Sequence, residues 1–468
     1  MSIPLEDLQP TFRDAILMTR KLGFQYLWID ALCIIQDSPG DWARESTQMH
    51  QIYSEASVNI SATAAHSGQD GIFSSADKDR CHMKPFVHLP SYGNSSNIGG
   101  YLSIRMKSGN DPTVWISDQP LYNRAWVLQE SALSPRRIDF RSEQLYWSCR
   151  TSSFTEGDPH VSRTLDWESN RKALFQMPLG AIPPQPDELL VGDRTPMSWW
   201  YRTLFLYCRR RLTFAKDTLP AIAGIARQVK ERTGYNYKAG LWLEDFHRAL
   251  LWQANDPVKR LVNTPVPSWS WASTELPWPW VSRYLCLDIY LPGFRASILE
   301  VSVCTQEDNP FGQVISGSLR IEGGCSTFES WQPGTNVIYN TPPYRMRLLN
   351  HCINHEMYRN KRYPAPPPGH IICTLDESLP NEERGPDYEI DTHSELIQRK
   401  AICLQIAKFG HNRKWHMIKT DKEIATVFAL ILEPTGRGLD EYKRIGIAEI
   451  PEENGLAEGW NRRLLTIV

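Results

Sequence analysis

The chain has no CxxC pair: its ten cysteines stand singly at 33, 81, 149, 208, 286, 304, 325, 352, 373 and 403. That spacing argues against compact zinc and dithiol-redox motifs. With no secretory leader at its start, the thiols read as reduced and intracellular. No apolar run nears the ~20 residues that span a bilayer, so no membrane span is expected. Neither sign of charge is in excess. Fifty-one basic against 53 acidic residues give a formal net charge of -2, so no global field gathers nucleic acid or anionic lipid. GxSxG, GxxxxGK[ST] and GxGxxG are also missing, which removes the nucleophile elbow, the P-loop and the dinucleotide fingerprint. His351 and His355, and the adjacent Cys81 and His82, fall short of a four-ligand zinc pattern, so no metal is expected. No internal repeat is visible.

What is present is ordinary globular composition, 41% hydrophobic and 22% charged, over a length sufficient for two or three domains. The 17 tryptophans, in clusters such as Trp199-Trp200 and Trp269/Trp271, read as core fillers. Arg209-Arg210-Arg211 reads as a solvated helix face. Thr11 to Asp14 reads as a capping box opening a first helix that Gly23 stops. The apolar Tyr26–Ile29 suits a strand covered on both faces. Asp41 then caps a second helix with Met49, Ile52 and Tyr53 on its apolar side, and Val58–Thr63 alternates as a strand. Helix, strand, helix, strand predicts an α/β layer with a parallel sheet.

Residues 66–122 read as a Gly/Ser/Asn-rich insertion with a hairpin or two, near Phe86–Leu89 and Tyr101–Ile104. A helix is expected from about Leu121, stopped by Pro135, then strands at 137–140 and 144–147. Residues 156–195 read as a linker and 196–262 as helical, with helices over Trp199–Leu212, Thr218–Arg232 and Leu241–Trp252. Residues 263–468 read as β-rich, with Tyr363–Gly369 a polyproline loop and Val427–Leu432 a buried strand.

Two segments stand out: Tyr26-Leu-Trp-Ile-Asp30 with Cys33-Ile-Ile-Gln36, and Arg124-Ala-Trp126 with Gln129-Glu130 and Leu133-Ser-Pro-Arg136. Together with Met49, Ile52-Tyr53, Ala56 and Gly71-Ile-Phe73 they resemble the heterokaryon-incompatibility (HET) domain of filamentous fungi, over residues 1–155. Leu219-Pro-Ala221, Ala239-Gly-Leu-Trp242 and Pro267-Ser-Trp-Ser-Trp-Ala-Ser273 resemble the common carboxyl-terminal extension of such proteins. The resemblance implies a cytoplasmic protein of self/non-self recognition and regulated cell death. It would act through a protein partner or self-association, with no cofactor. It also implies a fold related to the Toll/interleukin-receptor (TIR) domain, with a flavodoxin-like sheet. HET domains usually open with a further strand before the first helix. This chain starts almost at that helix, which predicts an amino-terminally incomplete domain: a start codon placed too late, a degenerate paralogue or a sheet completed by another chain.

Some TIR domains cleave NAD with a Glu four residues after a Trp, the spacing of Trp126 and Glu130. On a helix that spacing shares one face. In this alternative reading NAD is a substrate and Glu130 the catalytic carboxylate, stabilising oxocarbenium character on the ribose. Trp126 would stack on a nucleotide ring, Asp30 would stand at a strand's carboxyl end and Gln36 would bond the ribose or amide. The plainer reading makes Trp126 core, Glu130 the partner of Arg124 or Arg136 at a helix end, and Asp30 a turn cap. Cys33, between Leu32 and Ile34, reads as buried and inert.

Overall fold

The computed structural model describes residues 3–73, 87–91, 100–104, 119–142, 144–156, 196–254, 261, 264–275, 279–280, 290–306, 309–331, 337–339, 371–376, 392–411, 424–452 and 455–468. They belong to two compact units, 1–176 and 177–468. Cys81, His82, His351, His355 and the polyproline stretch lie outside the described residues.

In the first unit, α1 (Pro10–Lys21) starts with Pro at its first turn and Gln9 as N-cap. The capping box at Thr11 does not form. Asp14 Oδ2 instead accepts the N–H groups of Ile72 (2.7 Å) and Phe73 (3.3 Å), and Thr11 N–H reaches Gly68 O at 3.0 Å. Two charge-assisted bonds to a loop's free amides outweigh one reciprocal cap. Gly23, at φ +79°, ends the helix in the left-handed region. A short α2 (Asp30–Cys33) precedes α3 (Pro39–Glu55). Ser38, not Asp41, caps α3: its Oγ accepts from Asp41 N–H at 3.2 Å. The Asp41 carboxylate turns back to Ile35 N–H at 2.8 Å and pairs with Arg44.

The sheet joins β1 (Asn59–Ser61) in parallel to β4 (Arg136–Phe140), Ile60 opposite Ile138. β5 (Leu145–Cys149) and β6 (Ser153–Thr155) continue it antiparallel. β2 (Val87–Ser91) and β3 (Gly100–Ile104) form a hairpin inside the expected insertion. The described sheet is therefore mixed, with one parallel pair, rather than wholly parallel. Tyr26–Ile29 is not a strand. It is extended, with Ile29 at φ -132° and ψ 122°, but no strand pairs with it among the described residues. It keeps the alternation of a strand. Leu27 and Ile29 pack with Ala15, Ile60, Ile72, Ile138 and Phe140, while Trp28 meets Tyr53 edge-on at 5.8 Å.

Before β4 the chain makes a 3₁₀ turn at Pro120–Asn123, leaves it at an extended Arg124, and only then forms α4 (Trp126–Leu133). β4 itself buries charge. Asp139 pairs with Arg137 (2.6 Å) and Arg141 (3.4 Å) and accepts the Tyr122 hydroxyl (2.8 Å). Burial alone would raise the Asp139 carboxyl, but the two guanidiniums and the phenol hold it below its usual value.

The second unit begins with α5 (Pro196–Cys208) and α6 (Pro220–Thr233). Arg209–Arg211 follows α5 rather than lying on it, and only Arg211 is exposed. Cys208 is buried at the end of α5, where the chain has already met the core. The helix expected over Leu241–Trp252 does not form. Ala239 (φ 46°) and Gly240 (φ 93°) reverse the chain, so β8 (Leu241–Trp242) pairs back onto β7 (Tyr237–Lys238). Only a short α7 (Phe246–Ala249) remains. β9 (Gln253–Ala254) pairs with β10 (Pro279–Trp280).

The turn at Pro267–Ser273 fastens that reversal. Ser270 Oγ donates to Ala239 O (2.6 Å), Trp271 Nε1 to Gly240 O (3.0 Å) and Trp252 Nε1 to Trp269 O (2.9 Å). The remaining elements are β11 (Tyr290–Phe294), β12 (Ala296–Thr305), β13 (Val314–Thr327), β14 (Val337–Tyr339), β15 (Ile371–Leu375), α8 (Thr392–Gln398), β16 (Ile402–His411), β17 (Ile424–Pro434), β18 (Glu441–Pro451) and β19 (Asn461–Ile467). Their pairings close on themselves, β13 to β16, β17, β18, β19 and back to β13. β17 is buried at every position from Thr426 to Leu432, the continuous apolar run of a strand covered on both faces.

Candidate functional site

α4 is enclosed on most of its surface. Val127, Leu128, Gln129, Ser131, Ala132 and Leu133 are buried, and only Trp126 and Glu130 are half-exposed. Four residues apart, they make a single stripe, the least enclosed face of the helix. The helix is held by its end. Asn59 Nδ2 on β1 donates to Ser134 Oγ (3.0 Å) and to Glu130 O (3.4 Å), and Ser134 Oγ donates to Glu130 O at 2.6 Å. The parallel sheet edge thus fixes the residue that carries the carboxylate.

α3 supplies the facing wall. Trp42 meets Trp126 edge-to-face at 6.3 Å and 87°. Tyr53 donates its hydroxyl to the Glu130 carboxylate. Burial first, then the Glu130 and Asp30 carboxylates, push the Tyr53 phenol well above its ordinary value, with Arg124 acting in the opposite direction. Asp30, Arg124 and Glu130 therefore converge electrostatically on one hydroxyl, with Trp28 against its ring. Two carboxylates, a guanidinium, a phenol and three indoles can hold a planar, polar or cationic molecule, with a carboxylate beside it for charge stabilisation.

The structure thus brings Asp30, Trp126 and Glu130 to one neighbourhood. The exposed Gln36 amide is engaged locally, donating to Ile34 O (2.9 Å) and Asp30 O (3.2 Å) and tying down its own turn. Asp30 also has a local task, accepting Ala31 N–H at 2.7 Å. Arg136 turns away from Glu130 toward Ser57 O at 3.4 Å. Cys33 is exposed rather than buried, because α2 is a single surface turn with Leu32 and Ile35 also exposed. Tyr53 is the residue that sequence reasoning missed as a site member. It looked like one more apolar position of α3, and the only signal was a hydroxyl on that face. Among the described residues no group of three or more His, Cys, Asp or Glu could hold a metal ion. No described helix is long and apolar enough to cross a membrane.

The first unit is thus a small α/β domain whose aromatic and acidic side chains gather between two helices and the end of an extended segment. Residues 1–130 match the family model described as Heterokaryon incompatibility protein (HET), and the chain carries a HET domain there. The first hallmark segment, and the second as far as Glu130, lie inside the match, and β4 to β6 continue the unit beyond it. Searches of curated proteins and of solved structures gave no match.

Proposed function

We propose that the chain acts in fungal heterokaryon incompatibility, its HET domain carrying non-self recognition into regulated cell death in the cytoplasm. The observation that carries this reading is the meeting of the two hallmark segments at Tyr53: Asp30 from one, Arg124 and Glu130 from the other. Segments remote in sequence that converge on one half-exposed cluster support a working surface there over two unrelated core contacts. A TIR-like architecture is supported by the parallel β1–β4 pair and by α4 leading directly into β4. In this reading the domain signals by assembly with a protein partner or with itself, and the second unit controls it.

A second reading is favoured by the Trp126–Glu130 stripe: the same cluster hydrolyses NAD. Water would replace nicotinamide on the ribose, giving ADP-ribose, nicotinamide and a proton. Glu130 would stabilise the oxocarbenium-like transition state and Trp126 would stack on a ring. Inducible expression in a filamentous fungus, with and without Glu130→Ala and with cellular NAD assayed, tests both. Growth arrest that survives Glu130→Ala with NAD unchanged supports assembly. Arrest with NAD loss that Glu130→Ala abolishes supports hydrolysis. No arrest from the folded protein overturns the effector reading.

A further inference from the structure

We infer that Arg124 grips the phosphate carried by the ribose of the substrate, so that the cluster takes nucleotides in preference to nucleosides. The inference rests on the hydrolysis reading for the position of the ribose, with its anomeric carbon beside Glu130. Arg124 is exposed, with Tyr122 and Ala125 buried on either side of it. Its backbone is extended, at φ -87° and ψ 131°, and its N–H donates to Leu121 O at 3.2 Å. The main chain is thus pinned while the side chain meets solvent. The same guanidinium acts on the Tyr53 phenol, the group bonded to Glu130. Arg136, at the other end of α4, turns instead toward Ser57 O. Of the two arginines that flank the helix, Arg124 is therefore the one directed to the cluster.

The spacing suits a ribose phosphate. α4 rises about 6 Å from Trp126 to Glu130, and Arg124 approaches from beyond the Trp126 end. With the anomeric carbon at Glu130, a phosphate one sugar ring away falls toward Arg124. A guanidinium meets phosphate oxygens with paired, charge-assisted hydrogen bonds.

Charge makes the preference diagnostic. The Asp30 and Glu130 carboxylates alone would favour a cation. Nicotinamide riboside is a cation, whereas nicotinamide mononucleotide carries a net negative charge. A cluster that prefers the mononucleotide must draw on a cation of its own, and a site built to bond a polar group rejects the analogue that lacks it.

Isothermal titration calorimetry on the full chain tests this, with Glu130→Gln in every protein to prevent turnover. The probes are nicotinamide riboside, nicotinamide mononucleotide and NAD. The mononucleotide and NAD should bind about tenfold or more tighter than the riboside. Arg124→Ala should remove that margin and leave the riboside affinity unchanged, whereas a merely structural role would weaken all three alike. Equal binding of riboside and mononucleotide overturns the inference. So does a preference that Arg124→Ala leaves intact, or binding of none of the three probes. NAD consumption by the chain with Glu130 in place is measured alongside. Phosphate-dependent binding without consumption overturns hydrolysis and leaves the role of Arg124 standing. Consumption without a phosphate preference overturns that role alone.

Discussion

The protonated hydroxyl of Tyr53 on α3 hydrogen-bonds to the carboxylate of Glu130 on α4, with the Asp30 carboxylate close enough to act on the same phenol. This bond joins helices that the chain places on either side of a long insertion. It holds the Trp126–Glu130 stripe of α4 against the aromatic wall of α3, where Trp42 meets Trp126.

Replacing Tyr53 with Phe should keep the ring against Trp28 and remove only the donor. We expect a loss of about 1–2 kcal/mol in chemical denaturation, since a half-buried carboxylate loses a partner. The pH dependence has a definite sign. The folded-state phenol is raised above its ordinary value of 10.0, so the stability it contributes is complete below that value. It is lost as pH rises through the folded-state pKa. Burial also raises Tyr122, Tyr207, Tyr235 and Tyr237, so ultraviolet titration should show one fewer late-ionising tyrosine in Tyr53→Phe than in the native protein.

Much of the first unit was legible because its elements are local. α3, β1 and the β4–β5 hairpin follow from periodicity, a cap and turn residues within each segment. Glu130 and Trp126 were legible as a pair because four residues on a helix always share a face. Tyr53 was not, since only packing of α3 on α4 gives its hydroxyl a partner. Leu241–Trp252 was misread as a helix for a related reason. Its apolar run suits a helix or a buried strand equally, and the left-handed Ala239-Gly240 pair that decides the matter is fastened by Ser270 and Trp271. Asp14 and Asp41 sat at helix starts and looked like caps. Both carboxylates instead serve amides elsewhere, Asp14 those of a loop remote in sequence.

Acid should act on the first unit through Asp139. Its folded-state carboxyl lies below the ordinary value of 3.8, held there by Arg137 and Arg141 against the cost of burial. The stability it contributes is therefore present above that pH and is lost as pH falls through the folded-state pKa. Asp139→Asn should remove this acid-dependent component and destabilise the protein at neutral pH, because two buried guanidiniums lose their counter-charge. Denaturant midpoints compared at neutral and acid pH for the two proteins check both.

Gly240→Ala should be more harmful than a surface Gly→Ala. Residue 240 sits at φ +93°, and an added Cβ would stand 2.6 Å from Trp271 Nε1. Trp271 is buried and cannot swing aside, so its bond to Gly240 O would be lost along with the turn geometry. A cost of about 2–4 kcal/mol is expected. Gly436, also at positive φ but with nothing within 4 Å of its added Cβ, should cost about 1–2 kcal/mol on substitution. Thermal melting of the two variants side by side checks the difference.

The second unit concentrates its buried charge at Arg444, where the strand ring meets the α7 region. The guanidinium pairs with Asp376 at 3.0 Å, with both side chains fully buried. It also donates to Leu250 O (2.8 Å) and Trp252 O, and lies 3.6 Å over the Trp252 ring. Because Arg444 N–H donates to Ser268 Oγ at 2.8 Å, one residue ties β18, the Trp252 segment and the Pro267–Ser273 turn together. Asp376→Ala leaves the cation buried without its counter-charge and should cost about 3–5 kcal/mol. Arg444→Met with Asp376→Leu removes both charges but orphans the carbonyls of Leu250 and Trp252. The double variant should recover part of that loss and not all of it. If urea denaturation found the double variant as stable as the native protein, the carbonyl bonds would contribute nothing and the ion pair alone would account for the effect of the single change.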